Sequence, residues 1–265
     1  MDKLTGRKNE ILEIARKLGR VSVDDLAEHF KVTTQTIRKD INDICARRLL
    51  TRIHGGAVVS SGIQNLTYDA RRSINREEKS AIGRAAAQLI PNGASLFINI
   101  GTTTEEVAGF LTDHEGLLVI TNNLNVAMAL YPHPMIDVIV AGGPVRRADG
   151  AIVGQSPGDF IQQFKVDYAI IGASAIDEEG SLLDFDIREV RVSRAIIDNA
   201  RQIILVADQM KFQRTAPVRI GHLKDVDIFV TDRLPSAKVS EVCALNNVEV
   251  VEVGGPDSES AGIGE

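Results

Sequence analysis

The sequence is poor in the features that mark metal proteins, secreted proteins and membrane proteins. It has two cysteines, Cys45 and Cys243. Neither has a second cysteine at metal-ligand spacing, so both are expected as reduced, structural thiols of a cytoplasmic protein. Five histidines, at 29, 54, 114, 133 and 222, are scattered without a ligand pattern, and no metal is expected. No apolar run approaches the ~18 residues of a membrane span, and residues 1–7 carry no hydrophobic signal core. There is no Gly-Lys-Ser/Thr phosphate loop, no Gly-x-Gly-x-x-Gly and no internal repeat, so no cofactor is expected. Hydrophobic content of 44% with 25% charged residues excludes bulk disorder.

What is present begins with three helical stretches, the last two in tandem. A first helix is expected from about Arg7 to Leu18, with Ile11, Ile14, Ala15 and Leu18 inward. Ser22 then caps a helix with Val23, Leu26, Ala27 and Phe30 on its apolar side, and Thr33 caps a second after a break at Lys31-Val32. On that second helix Ile37, Ile41, Ile44 and Cys45 share one side at about 100° per residue and belong to a core. Thr34, Gln35, Thr36 and Lys39 are left outside, with Arg38 on the flank. Amide, hydroxyl, guanidinium and ammonium groups near a helix N-terminus suit base edges and phosphates in a major groove. Residues 47–58 alternate apolar and polar around a basic tip and a Gly55-Gly56 turn. They read as a β-hairpin wing, with Arg52 and His54 placed for phosphates or a minor groove. Residues 1–58 hold 12 Lys and Arg against 8 Asp and Glu, whereas the other 207 hold 18 against 28. A basic head on an acidic body fits a protein that holds DNA at one end.

The organisation expected is a winged helix-turn-helix domain over 1–58, a polar linker over 59–74, an α/β domain over 75–253 and a disordered tail over 254–265. The body starts with a helix capped by Asn75, with Glu78 completing a capping box. Strands are expected at 95–100, 117–121, 137–141, 167–173, 202–207, 227–231 and 248–253, several rich in Ile, Val and Leu without alternation. That is the pattern of parallel strands buried on both faces, and helices are expected between most of them.

In an open α/β sheet, ligands bind at the carboxyl ends of the strands. The first such end here is Gly101-Thr102-Thr103-Thr104, a glycine and three hydroxyls opening a helix, an arrangement suited to a phosphate or simply a Thr-capped turn. Other strand ends supply Thr121-Asn122-Asn123, Gly142-Gly143, Gly172-Ala173-Ser174, and Asp208 with Lys211. Between them lie Asp184, Asp186 and Glu189, of which Asp186 also reads as a helix cap. Together they describe a pocket for a small phosphorylated polyol or sugar. Gly101, Thr102, Thr103 and Thr104 would hold the phosphate, Asn123, Asp184, Glu189 and Lys211 would contact the polyol or brace the loops, and Gly143 would belong to the same effector site.

The chain resembles the DeoR-type bacterial transcriptional regulators from about Arg7 to Val253. The resemblance is carried by Thr36-Ile37-Arg38-Lys39-Asp40-Ile41, Arg52-Ile53-His54-Gly55-Gly56-Ala57, Ile100-Gly101-Thr102-Thr103, Thr121-Asn122-Asn123, Ala141-Gly142-Gly143 and Asp208-x-x-Lys211-Phe212. It implies an isomerase-like α/β sensor domain, operator DNA as partner, a phosphorylated effector (glycerol 3-phosphate or a sugar phosphate) and a homo-oligomer, often a tetramer. Asn99 and Met210 depart from the residue types usual in the family. The reading is a repressor whose operator affinity the effector modulates. The alternatives are a sugar-phosphate isomerase or deaminase, in which Asp184, Glu189 and Lys211 would supply acid and base, and a regulator of opposite sign.

Overall fold

The computed structural model describes residues 6–18, 20–47, 49–53, 55–59 and 66–254. It divides into two compact units, Met1–Ile74 and Asn75–Glu265. His54, the middle of the expected linker at 60–65 and the tail from 255 lie outside the described residues.

In the first unit, α1 (Gly6–Leu18) is followed by β1 (Arg20–Ser22), α2 (Val23–Phe30) and α3 (Thr34–Ala46). Ser22 Oγ accepts the Asp24 and Asp25 amides at 3.1 and 3.4 Å. Lys31, left-handed at φ 52, stops α2, and Thr33 Oγ1 accepts the Thr36 amide at 3.3 Å to start α3. Ile37, Ile41 and Ile44 are fully buried against Ile11, Ala15 and Leu26. Side chains of that size stabilise a core by about 1.5–3 kcal/mol each. Cys45 is half-buried, on the edge of this core and not within it, because the 100° step carries it past the stripe that Ile37, Ile41 and Ile44 define. Buried Asp40 receives Arg7 Nε at 2.6 Å, and Lys8 pairs with Asp43, so α1 fixes the orientation of α3.

Strands β2 (Leu50–Ile53) and β3 (Gly56–Val59) form the expected hairpin, and β1 joins its open side through β3. Of the two glycines expected in the turn, Gly55, at φ 75, lies there. Gly56 is already in β3, where a Cβ would lie 2.0 Å from the Val21 carbonyl oxygen, so β1 could not pack there beside any other residue. The stretch expected as linker is structured from Leu66 onward: Thr67 caps a helix, α4 (Tyr68–Ser73), and Leu66, Ala70 and Ile74 are buried. Those three residues lie at helical spacing, which the Arg71-Arg72 pair obscures in the sequence.

The second unit runs α5 (Arg76–Gln88), β4 (Ser95–Ile98), α6 (Thr102–Phe110), β5 (Leu117–Thr121), α7 (Leu124–Leu130), β6 (Ile136–Val140), α8 (Gln155–Ile161), β7 (Val166–Ile171), β8 (Ala175–Ile176), β9 (Ser181–Asp184), α9 (Ile187–Asp198), β10 (Ala200–Val206), β11 (Val218–His222), β12 (Ile228–Thr231), α10 (Ala237–Leu245) and β13 (Glu249–Glu252). The seven expected strands form one parallel sheet in the order β13-β12-β10-β7-β4-β5-β6. Leu96, Ile98, Ile170 and Ile204 fill one face with Ile82 and Val107, while Phe97, Ile171, Leu205 and Phe229 fill the other with Val190 and Ile196. Burial on both faces accounts for strands without alternation. A small antiparallel sheet, β11-β9-β8, was not expected. Asn75 precedes α5 but does not cap it: its backbone is left-handed at φ 51, and its amide instead donates to Asp208 Oδ1 at 3.3 Å.

From β4 the chain adds β5 and β6 on one side, then returns to place β7 on the other. The order therefore reverses between β4 and β7, and the crevice outside their carboxyl ends is where such sheets bind ligands. Among the described residues no helix is long and apolar enough to cross a membrane, and no cluster of His, Cys, Asp and Glu could hold a metal.

Candidate nucleic-acid interface and effector site

On α3, Gln35, Arg38 and Lys39 are exposed at one helical spacing, and Thr34 and Thr36 are half-buried. Thr36 Oγ1 lies 2.9 Å from Thr33 Oγ1, so its hydroxyl belongs to the cap. Asn42, one turn beyond Arg38, extends the same face. Its Oδ1 accepts Arg52 Nη1 from β2 at 2.9 Å. This bond, which the sequence reading missed, sets the wing against α3 and leaves Arg52 at the rim of the polar face. The N-terminal end of α3 carries the positive end of a helix dipole, favourable to phosphate. Burial raises the pKa of Cys45 and of Cys243, which keeps both as neutral thiols and fits their structural reading.

At the end of β4, Gly101 leads into the first turn of α6, where Thr102, Thr103 and Thr104 are all nearly excluded from solvent. Thr104 Oγ1, expected as an effector contact, faces the carbonyls of Asn99 and Gly101, both at 2.8 Å, so in this structure the hydroxyl closes the turn. Asn99 bonds the Ile100 amide at 2.7 Å and Ser193 Oγ of α9 at 3.0 Å, tying β4 to α9. Across the switch point, a Cβ on Gly172 would meet Thr104 Cγ2 at 3.7 Å.

The other expected side chains brace loops. Asn123 is fully buried; its Oδ1 accepts the Asn125 amide at 2.9 Å and its Nδ2 donates to Glu105 Oε1 at 3.0 Å. Asp184 accepts Ser174 Oγ at 2.9 Å and the Phe185 amide at 2.6 Å. Gly143 is needed for space, since a Cβ there would sit 3.0 Å from Pro157 Cδ and 3.1 Å from Ile152 Cγ2. Lys211 is half-buried in the 3-10 turn Gln209–Gln213, which Asp208 caps through the Met210 amide at 3.0 Å.

Glu189 leads to a group the sequence did not reveal. Its Oε2 accepts Arg146 Nη2 at 2.7 Å, and the same guanidinium forks onto Asp149 at 2.8 and 2.7 Å and reaches Asp186 Oδ2 at 3.2 Å. Burial alone would lower the Arg146 pKa, but hydrogen bonds to Asp149 and Glu189 and their charges outweigh it and raise the pKa well above the ordinary value. Asp186 caps α9 through the Arg188 amide at 3.0 Å, and its pKa is lowered chiefly by the Arg188 guanidinium. The sequence pattern does not single out Arg146. The one available signal was an arginine three residues before Asp149, between Gly143 and Gly150.

A capped recognition-type helix with a wing, and a parallel sheet whose switch point opens on a glycine-threonine turn, define a DNA-binding regulator with a small-molecule sensor. The profile of the DeoR-like helix-turn-helix domain matches residues 7–62, and that of the DeoR C terminal sensor domain matches residues 74–233. The glycerol-3-phosphate regulon repressor of Escherichia coli (strain K12) is 45% identical over 248 residues, covering 94% of this chain and 98% of that protein. The HTH-type transcriptional repressor CsqR of the same organism is 38% identical, covering 95% and 97%. A ribose-5-phosphate isomerase in complex with phospho-erythronic acid aligns at a TM-score of 0.40 and 15% identity, over 52% of this chain and 54% of that one. The chain belongs to the DeoR family of transcriptional regulators. Both of these repressors match across the two units, which makes the isomerase or deaminase reading the less supported one.

Proposed function

We propose that this protein is a cytoplasmic repressor of genes for glycerol 3-phosphate use, whose grip on its operator weakens when glycerol 3-phosphate binds the sensor unit. The carrying observation is that one chain joins a helix displaying Gln35, Arg38 and Lys39 to a sheet whose switch point bears the Gly101 turn. The choice of glycerol 3-phosphate follows the name of the 45% identical relative. Arg38 and Gln35 read base edges, while Lys39, Thr34, Thr36 and Arg52 position the helix on phosphates. His54 joins the wing contacts. The amides of residues 101–103 and the Lys211 ammonium take the effector phosphate, beside Gly143. Asn123, Asp184 and Glu189 hold the surrounding loops. The active form is a homotetramer or another homo-oligomer, which matches paired operator half-sites. An effector acts only through unequal affinity for DNA-competent and incompetent forms, typically worth about 1–3 kcal/mol. Operator binding at constant salt, titrated with glycerol 3-phosphate, fructose phosphates and deoxyribose 5-phosphate, tests the assignment. A response to a ketohexose phosphate alone overturns it.

A further inference from the structure

The segment between β6 and α8 is a folded hairpin, not a plain loop. Val145 pairs with Ile152 and Asn123 with Ala151 in antiparallel bridges, and the Arg146 amide donates to the Ala151 carbonyl at 2.7 Å. The returning arm lies along the end of β5: the Ile152 amide donates to the Asn122 carbonyl at 2.8 Å, and Asn122 Nδ2 donates back to the Ile152 carbonyl at 3.1 Å. Ala151 and Val153 form a small apolar cluster with Ile100, the residue next to Gly101, separate from the two main core layers. The hairpin thus rests on the ends of β4 and β5, beside the turn of residues 101–104, where Thr102 and Thr103 are nearly closed off from solvent. Glycines stand at both ends: Gly142 and Gly143 before it and Gly154, at φ 117, after it.

On the side away from β5, the Arg146 side chain fastens the hairpin to α9. The Arg146–Asp149 pair lies inside the hairpin and travels with it. Arg146 to Glu189 at 2.7 Å and to Asp186 at 3.2 Å cross to the start of α9. Opening the hairpin would break only those two of Arg146's ion pairs, and both carboxylates stay at a helix N-terminus, where negative charge is favoured. Asp186 also keeps Arg188. We propose that hairpin 144–153 is a lid over the carboxyl-end site and that Arg146 is its latch, closing on Glu189 and Asp186. In deepening the effector reading above, this assigns Arg146 a positioning role: it governs how often the site opens and how long a ligand stays.

Hydrogen exchange of the full-length protein, followed by peptide, compares the parent with Arg146→Gln and with the milder Glu189→Gln, which keeps an acceptor for the guanidinium. Without ligand, both variants should exchange the amides of 144–153 at least about tenfold faster, the double variant no faster than Arg146→Gln, with β4 and β10 unchanged. Unaltered hairpin exchange in Glu189→Gln, or acceleration spread evenly through the unit, overturns the latch. In the parent, glycerol 3-phosphate shown by calorimetry to bind should slow exchange of the hairpin; binding with hairpin exchange unaltered overturns the lid. If calorimetry finds no binding, the effector assignment falls, and the ligand-free comparison still decides the latch.

Discussion

Asp40→Asn separates how the recognition helix is held from what it touches. The Asp40 carboxylate is 5% exposed and accepts Arg7 Nε at 2.6 Å, with Lys8 Nζ at 4.0 Å. Breaking a fully buried ion pair costs about 3–5 kcal/mol, but the Arg7 side chain is 38% exposed, so solvent recovers part of that. A charge-assisted hydrogen bond of roughly 1.5–3 kcal/mol is the better guide, giving a loss of about 2 kcal/mol. At about 0.05–0.15 kcal/mol per residue, a unit the size of Met1–Ile74 has roughly 4–11 kcal/mol of stability. The variant therefore stays folded at 20 °C, while the unfolding transition of this unit falls by roughly 8–16 °C. Circular dichroism melting gives the shift, and operator binding at 20 °C should match the parent within about threefold. A melting shift under about 2 °C refutes the claim that α1 holds α3 through this pair.

Arg38→Ala should show the reverse: unchanged melting, with operator affinity lowered about 5–150-fold at fixed salt, the range for a lost base contact of about 1–3 kcal/mol. Ile41→Ala removes a fully buried core side chain and should cost about 2–5 kcal/mol in denaturant unfolding. Asn99→Ala leaves the buried Ile100 amide without its Asn99 acceptor and removes the tie to Ser193 of α9, and should destabilise the sensor unit by about 1–3 kcal/mol, read as a lower urea midpoint. The Asp167 pKa is lowered chiefly by the Ser95 hydroxyl at 2.6 Å and then by its amide. A depressed folded-state pKa contributes stability that is present above the unfolded value near about 4 and lost as pH falls through the folded one. Urea midpoints should accordingly drop below about pH 4, and less steeply in Asp167→Asn; equal slopes would dismiss this contribution.

The parts of the fold that local pattern controls were legible in the sequence. Ser22 and Thr33 cap as their positions suggest, and the seven Ile-, Val- and Leu-rich runs are the seven parallel strands. What escaped depends on distant partners. β11 carries Arg219 and His222, and it is a strand because it pairs with β9 across 34 or more residues. β1 is three residues long and is defined by its pairing with β3. Asn75 has the right residue type for a cap, but a left-handed backbone directs its amide to Asp208. The site divides in the same way. The sequence located the strand ends, because glycine and threonine at the end of an apolar run are local signals. It did not show that the polar groups of Thr104, Asn123 and Asp184 turn inward, nor that Arg146 meets Glu189 from 43 residues away.

The central claim is that DNA and effector compete through the conformation of one protein, and linkage makes the claim measurable from the effector side. Calorimetric binding of glycerol 3-phosphate, with and without saturating operator duplex at the same salt, is the direct measurement. Glycerol 3-phosphate should bind roughly 5–150-fold more weakly in the presence of operator, by the same factor with which it weakens operator binding. Equal affinity for glycerol 3-phosphate with and without operator contradicts the account.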